Sequence, residues 1–265
     1  MLTLTIWRAA ILLEAAIFYR GFRGNLLSKY PFFYTYIIGV LVSDTTFYVV
    51  YMLNHAAYVK WYWVSTTLVV ILGYGIILEV FKHVLSAYPG VEKLARVTGL
   101  ALFAAIFCFA ISYSLWAPEA ARVGTTGPDV RKDLWIFQAT FQRDFWTVQA
   151  IFLFAIIGVV SYYRIPLGKN LKGMIVGYGL CLGVTLVTLA LRSYIGLSFD
   201  AAWVFLQPFS FDVSLSIWAA TLWAFHPNPA PNPAIRLEAD YEIFAAKTRG
   251  TIGAMRTYLG KAARS

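Results

Sequence analysis

Seven apolar runs follow one another along this chain, at about 3–19, 31–53, 61–85, 97–116, 145–163, 173–195 and 201–225. Each is close to the roughly 20 residues a helix needs to cross about 30 Å of hydrocarbon. The expectation is an all-α membrane protein, with a seven transmembrane helix bundle over 1–226 and a tail over 227–265. Composition agrees, since only 13% of the 265 residues are charged, against about 25% in soluble domains.

The net charge of +9 does not point to nucleic acid, because the basic residues are spread through the connectors rather than gathered on one soluble face. Of the 22 Lys and Arg residues, 15 fall after runs one, three and five or in the tail, Lys82 counted with the third connector. By the positive-inside rule these sides face the cytoplasm, which puts the N-terminus outside and the C-terminus inside. The first run lacks a basic n-region and a small-x-small cleavage site, so it is expected to remain as the first span. Cys108 and Cys181 both lie inside apolar runs, where a disulfide framework is not expected. The absence of any Asn-x-Ser/Thr sequon agrees with a bacterial protein in the cytoplasmic (inner) membrane.

Between the runs, Gly124 to Pro128 is a breaker cluster, after which Leu134, Phe137 and Phe141 share a helical face, as an interfacial helix or an extension of run five. Pro118 is expected to end run four, and Tyr88-Pro89-Gly90 to form a turn. After run seven, His226 to Ala234 is a proline-rich linker of extended, semi-rigid character. An amphipathic helix over 236–262 follows, with Leu237, Tyr241, Phe244, Thr248, Ile252, Met255 and Leu259 at alternating spacings of four and three.

The chemistry concentrates inside the bundle. Run seven carries Gln207, Pro208, Ser210, Asp212 and Ser214 where lipid-facing helices carry oil. A central Asp costs about 2.5 to 3.5 kcal/mol on insertion scales, so such residues mark function by default. Asp44 in run two and Asp212 in run seven both lie about 15 to 20 Å from the entry of their helices, near mid-depth. Asp44, Tyr48 and Tyr51 stand at i, i+4 and i+7 on one stripe, and Arg8 is long enough to reach toward either acid. Together with Gln149 and Gln207 these residues are the candidate lining of a ligand-binding polar pocket between helices 1, 2 and 7. The competing reading makes the same acids interhelical fastenings.

A weaker metal candidate stands at the cytoplasmic edge, where Glu79 and His83 are four apart and His226 follows run seven. A solvated helix end explains the same three residues, and Lys82 argues against a cation. No cofactor is called for. His55 and the pair His83 and His226 lie on opposite sides and cannot clamp a haem, and run seven has no lysine for a retinal Schiff base. Val176-Gly177-Tyr178-Gly179 imitates a potassium filter but lies within an apolar helix, so Gly173, Gly177, Gly179 and Gly183 read as packing faces. No serine-hydrolase, zinc-protease or phosphate-loop motif occurs, so no enzyme is expected.

An outside N-terminus, seven spans, a tyrosine stripe at Tyr48 and Tyr51 and a polar helix seven with Pro208 together resemble the seven-helix receptor-like sensor modules of bacterial membrane proteins. The resemblance covers about 1–226 and is one of architecture. It implies a sensor or ligand-binding protein, and since the tail is too short for a kinase domain, signalling through a partner. The expected partners are the lipid bilayer and another membrane or cytoplasmic protein docked on the tail helix. Two alternatives stand beside it. One is an accessory subunit of a larger membrane complex. The other is a proton-coupled transporter using Asp44 or Asp212, with helix seven broken near Pro208.

Overall fold

A computed structural model describes residues 2–53, 55–121, 130–195, 199–230 and 236–262. Those residues form eight helices and no strand: α1 (Leu2–Arg23), α2 (Pro31–Leu53), α3 (His55–Leu85), α4 (Pro89–Ala121), α5 (Val130–Tyr163), α6 (Lys169–Ile195), α7 (Asp200–Thr221) and α8 (Leu237–Ala262). Among them, four stretches are long and apolar enough to cross a membrane: Pro31–Leu53, Thr67–Leu85, Arg143–Tyr163 and Lys169–Leu191. Helices α1 and α7 carry Arg8 and Glu14, and Gln207 and Asp212, in their interiors, which lowers their hydropathy.

The apolar runs place the helices well and their ends less well. Helix α2 has the expected bounds, with Pro31 at the first helical position, where a missing amide hydrogen costs nothing. Helices α3, α4 and α5 have 31, 33 and 34 residues, or about 47 to 51 Å, well beyond a hydrocarbon core. Helix α5 starts at Val130, so the pattern after Asp129 extends the fifth helix rather than forming a separate one. Pro89 and Gly90 are the first residues of α4, which runs past Pro118 to Ala121. Helix α7 ends at Thr221 instead of 225 and passes through Pro208 without a break. The breaker cluster at Gly124 to Pro128 lies outside the described residues.

Helix α3 is central, packed against α2, α4, α5 and α6, while α1 lies between α2 and α7. The most extensive pairings are α6 with α7 and α2 with α3. Glycines explain the first. A Cβ at Gly177 would run into the indole of Trp218, and one at Gly173 into Thr221, so only glycine lets α7 approach this closely. Gly179 instead faces Leu153 of α5, and nothing lies close to Gly183. Trp218 is fully buried and meets the rings of Phe33 and Tyr36 edge-on, with centroids 5.2 and 6.2 Å away. Its indole fills the space between α7 and α2.

At the end where α2 begins, the helices are tied by polar contacts between distant segments. Arg20 donates to the carbonyl of Trp223 and stacks over its ring, and Lys29 lies over Phe225. Asn170 accepts the His226 amide at 2.6 Å and donates to the Ala224 carbonyl at 2.8 Å. Asn228 accepts the Gly168 amide at 3.0 Å and donates to the His83 carbonyl at 3.3 Å. The segment after α7 is thereby pinned across the bundle end. Helix α8 docks at the same end, where Glu238 accepts the Gly90 amide at 2.7 Å and Tyr163 donates to Asp240 at 3.1 Å.

Candidate functional site: an acid cluster between three helices

Asp44 of α2 and Asp212 of α7 are brought together, and the group that joins them is Glu14 of α1. Glu14 is 0% exposed, and neither of its oxygens receives a hydrogen bond from an amide, hydroxyl or basic group. It faces the Asp44 carboxyl, acid against acid, and lies within electrostatic reach of Asp212. One Asp212 oxygen is also buried without a donor. Counting along each helix from the end at which α2 begins places Glu14 and Asp212 about 14 Å in and Asp44 about 20 Å in. All three stand near mid-depth. Three acids on three helices thus lie within electrostatic reach of one another.

The basic residue expected to reach the acids is held elsewhere. The Nε of Arg8 donates to the Tyr48 hydroxyl at 3.0 Å, and its guanidinium stacks over the same ring. Trp7 packs edge-on against Tyr48 and Tyr51, so the aromatic stripe on α2 supports α1. Among the described residues the ion pairs are Arg96 with Glu92 and Arg143 with Asp144, both away from the acids. The cluster has no positive counter-charge of its own among them.

On α7 the hydroxyls are spent within the helix. Ser210 donates to the Gln207 carbonyl, Ser214 to that of Ser210 and Ser216 to that of Asp212. This back-bonding satisfies them without any neighbour. Gln207 is half-buried, five residues before Asp212. Gln149 is fully buried at a different junction. Its amide nitrogen donates to the Val70 carbonyl at 2.7 Å and its oxygen accepts the Tyr178 hydroxyl at 2.6 Å, which joins α5 to α3 and α6. Tyr178 meets the Tyr36 ring at 6.2 Å, and the Tyr36 hydroxyl lies within reach of Glu14 and Asp44. Tyr36 is therefore the buried link between the acid cluster and the Gln149 junction.

No protein-family model, curated protein or solved structure matches this chain.

The three residues of the metal candidate have other partners. Glu79 accepts the amides of Phe33 at 2.7 Å and Phe32 at 3.4 Å, so it caps the start of α2. His83 meets the Lys29 carbonyl at 3.0 Å, and the His226 ring meets the Ala224 carbonyl at 3.0 Å. Among the described residues no three His, Cys, Asp or Glu side chains stand in metal-holding geometry. Just outside the spans, burial and the nearby Glu79 charge push the Tyr30 hydroxyl up to about 12. An open recess of about 580 Å³ lies beside α7, with Leu13, Lys169, Ser216, Ala219, Ala220 and Trp223 among its lining. None of the acids lines it.

Glu14 joins the candidate site although it is not among the pocket residues expected from the sequence. It stands in the least oily run, which also carries Arg8, so a second charged residue there does not stand out. The available signal was depth: Glu14, Asp44 and Asp212 fall near the middle of three different runs.

Proposed function

We propose that this chain is a seven-span protein of a bacterial cytoplasmic membrane, N-terminus outside and tail inside, that senses protons at Glu14, Asp44 and Asp212. The observation that carries the reading is the fully enclosed Glu14 carboxyl, set against two further acids with no basic partner among the described residues. The groups facing it are Asp44 and Tyr36 from α2 and Asp212 from α7; Arg8 on its own helix is engaged by Tyr48. Ionising a second or third acid adds like charge to one small volume, which the bundle relieves by separating α1 from α2 or α7. A proton gained or lost there shifts helix packing. The segment pinned after α7 by Asn170 and Asn228 supplies a route from that shift to the tail and a partner.

Two features favour sensing over transport. Helix α7 runs unbroken through Pro208, whereas the transporter reading calls for a discontinuous helix at the site. The tail is fastened to the bundle, as an output element needs to be.

The test is titration of the purified protein in nanodiscs, read by intrinsic tryptophan fluorescence and by hydrogen exchange along α7. A reversible transition is expected that shifts in Asp44→Asn and Asp212→Asn and disappears in Glu14→Gln, with each variant still folded by circular dichroism. An unchanged transition in folded Glu14→Gln would sink the reading. Proton flux in proteoliposomes under an imposed pH gradient, lost in Glu14→Gln, would make the protein a transporter instead.

A further inference from the structure

Helix α8 has one apolar face, and the bundle covers only its beginning. At 100° per residue, Leu237, Tyr241, Phe244, Thr248, Ile252 and Met255 fall within an arc of about 80°. Leu237 is buried and Tyr241 half-buried where α8 meets the start of α4. Further along the same face Phe244, Ile252 and Met255 are 63%, 58% and 62% exposed. Arg249 and Arg256 border one edge of this arc and Lys247 the other, each about 40 to 60° beyond it.

The height at which α8 is attached decides what the face can meet. Tyr163, the last residue of an apolar stretch long enough to cross the membrane, donates to Asp240, and Glu238 takes the Gly90 amide shortly after the stretch ending at Leu85. The first turn of α8 therefore sits at the level where the spans leave hydrocarbon. The face that meets the bundle end through Leu237 and Tyr241 is the one that carries the exposed Phe244, Ile252 and Met255 further along the helix.

We infer that residues 243–256 of α8 lie in the headgroup layer of an anionic bilayer, with Phe244, Ile252 and Met255 in the acyl boundary and Lys247, Arg249 and Arg256 against lipid phosphates. The charge pattern selects this occupant. An apolar arc bordered on both sides by cations is the pattern of an interfacial helix, with binding strengthened by anionic lipid. A surface of this kind does not depend on the proton-sensing reading, since it uses none of the three acids.

The full chain, with Cys108 and Cys181 replaced by alanine, is spin-labelled singly through Met255→Cys or Lys247→Cys and reconstituted into nanodiscs. One lipid set contains phosphatidylglycerol and the other is phosphatidylcholine alone. In the anionic discs the 255 label is expected to collide with oxygen severalfold more than with a water-soluble nickel reagent, and the 247 label to show the reverse. The contrast should shrink in the neutral discs, and in anionic discs after Lys247→Glu, Arg249→Glu and Arg256→Glu are combined. A 255 label open to the nickel reagent in both lipids overturns the inference. So does strong dipolar coupling between 255 labels in discs holding two copies, which assigns the face to a second chain.

Discussion

The Glu79 carboxylate accepts the backbone amide of Phe33 at 2.7 Å, across 46 residues of sequence. With the Phe32 amide at 3.4 Å it serves two of the donors that the first turn of α2 cannot pair within the helix. A negative group there also meets the positive end of the helix dipole. Truncation by Glu79→Ala leaves those amides without an acceptor and should cost about 2 kcal/mol. Glu79→Gln keeps one acceptor oxygen and should cost less. Thermal unfolding of both variants in detergent, compared with the parent, gives the ranking; equal losses would mean that the contribution lies in the charge or in the paired oxygens rather than in a single acceptor.

Gly177 faces the Trp218 indole across the α6 and α7 contact. Gly177→Leu forces the two helices apart, and overpacking of this kind costs about 1 to 3 kcal/mol. Because Trp218 also meets Phe33 and Tyr36, its fluorescence should change with the loss of stability. Gly183→Leu, with nothing close to it, should leave both readings near those of the parent.

The segment after α7 rests on two asparagines. Asn170→Ala removes the contacts to the His226 amide and the Ala224 carbonyl, and Asn228→Ala those to Gly168 and His83. Either change should speed proteolytic cleavage after α7 while leaving the unfolding of the bundle little altered. Cleavage at the parent rate in both variants would show that the tail is held by packing alone.

Tyr30 gives a pH dependence outside the spans. Its hydroxyl is pushed up to about 12 by burial and by the Glu79 charge, against a usual value near 10. A folded-state value above the unfolded one contributes stability that is complete below about pH 10 and is lost as pH rises toward about 12. Tyr30→Phe should therefore lose less stability than the parent between pH 10 and 12, measured by chemical unfolding.

How legible these features were depended on whether they were local. The bounds of α2 could be read because a proline opens the helix and the apolar run ends where the helix does. Helices α3, α4 and α5 extend beyond their apolar runs because polar residues such as Glu92 and Lys93 suit a helix as well as they suit a connector. The close spacing of Gly173 and Gly177 was legible as a packing face, since the small-x3-small pattern is itself a property of one helix. Glu79 and His83 looked like a ligand pair because i and i+4 share a face, yet the amides that Glu79 serves belong to another helix and leave no trace beside it. Gln149 carries no sequence sign of whether it faces Asp212 or Tyr178. Rotation of each helix about its axis decides that, and only packing fixes the rotation.

The acid cluster has a further consequence for how the protein is made. Glu14 lies on α1 and Asp212 on α7, so α1 is made before the helix that completes the surroundings of its carboxyl. Until α7 is made, Glu14 has only Asp44 and Tyr36 of α2 to meet. Completion of the cluster therefore waits on α7, and a chain cut short before that helix leaves the Glu14 carboxyl uncovered on the side where α7 packs.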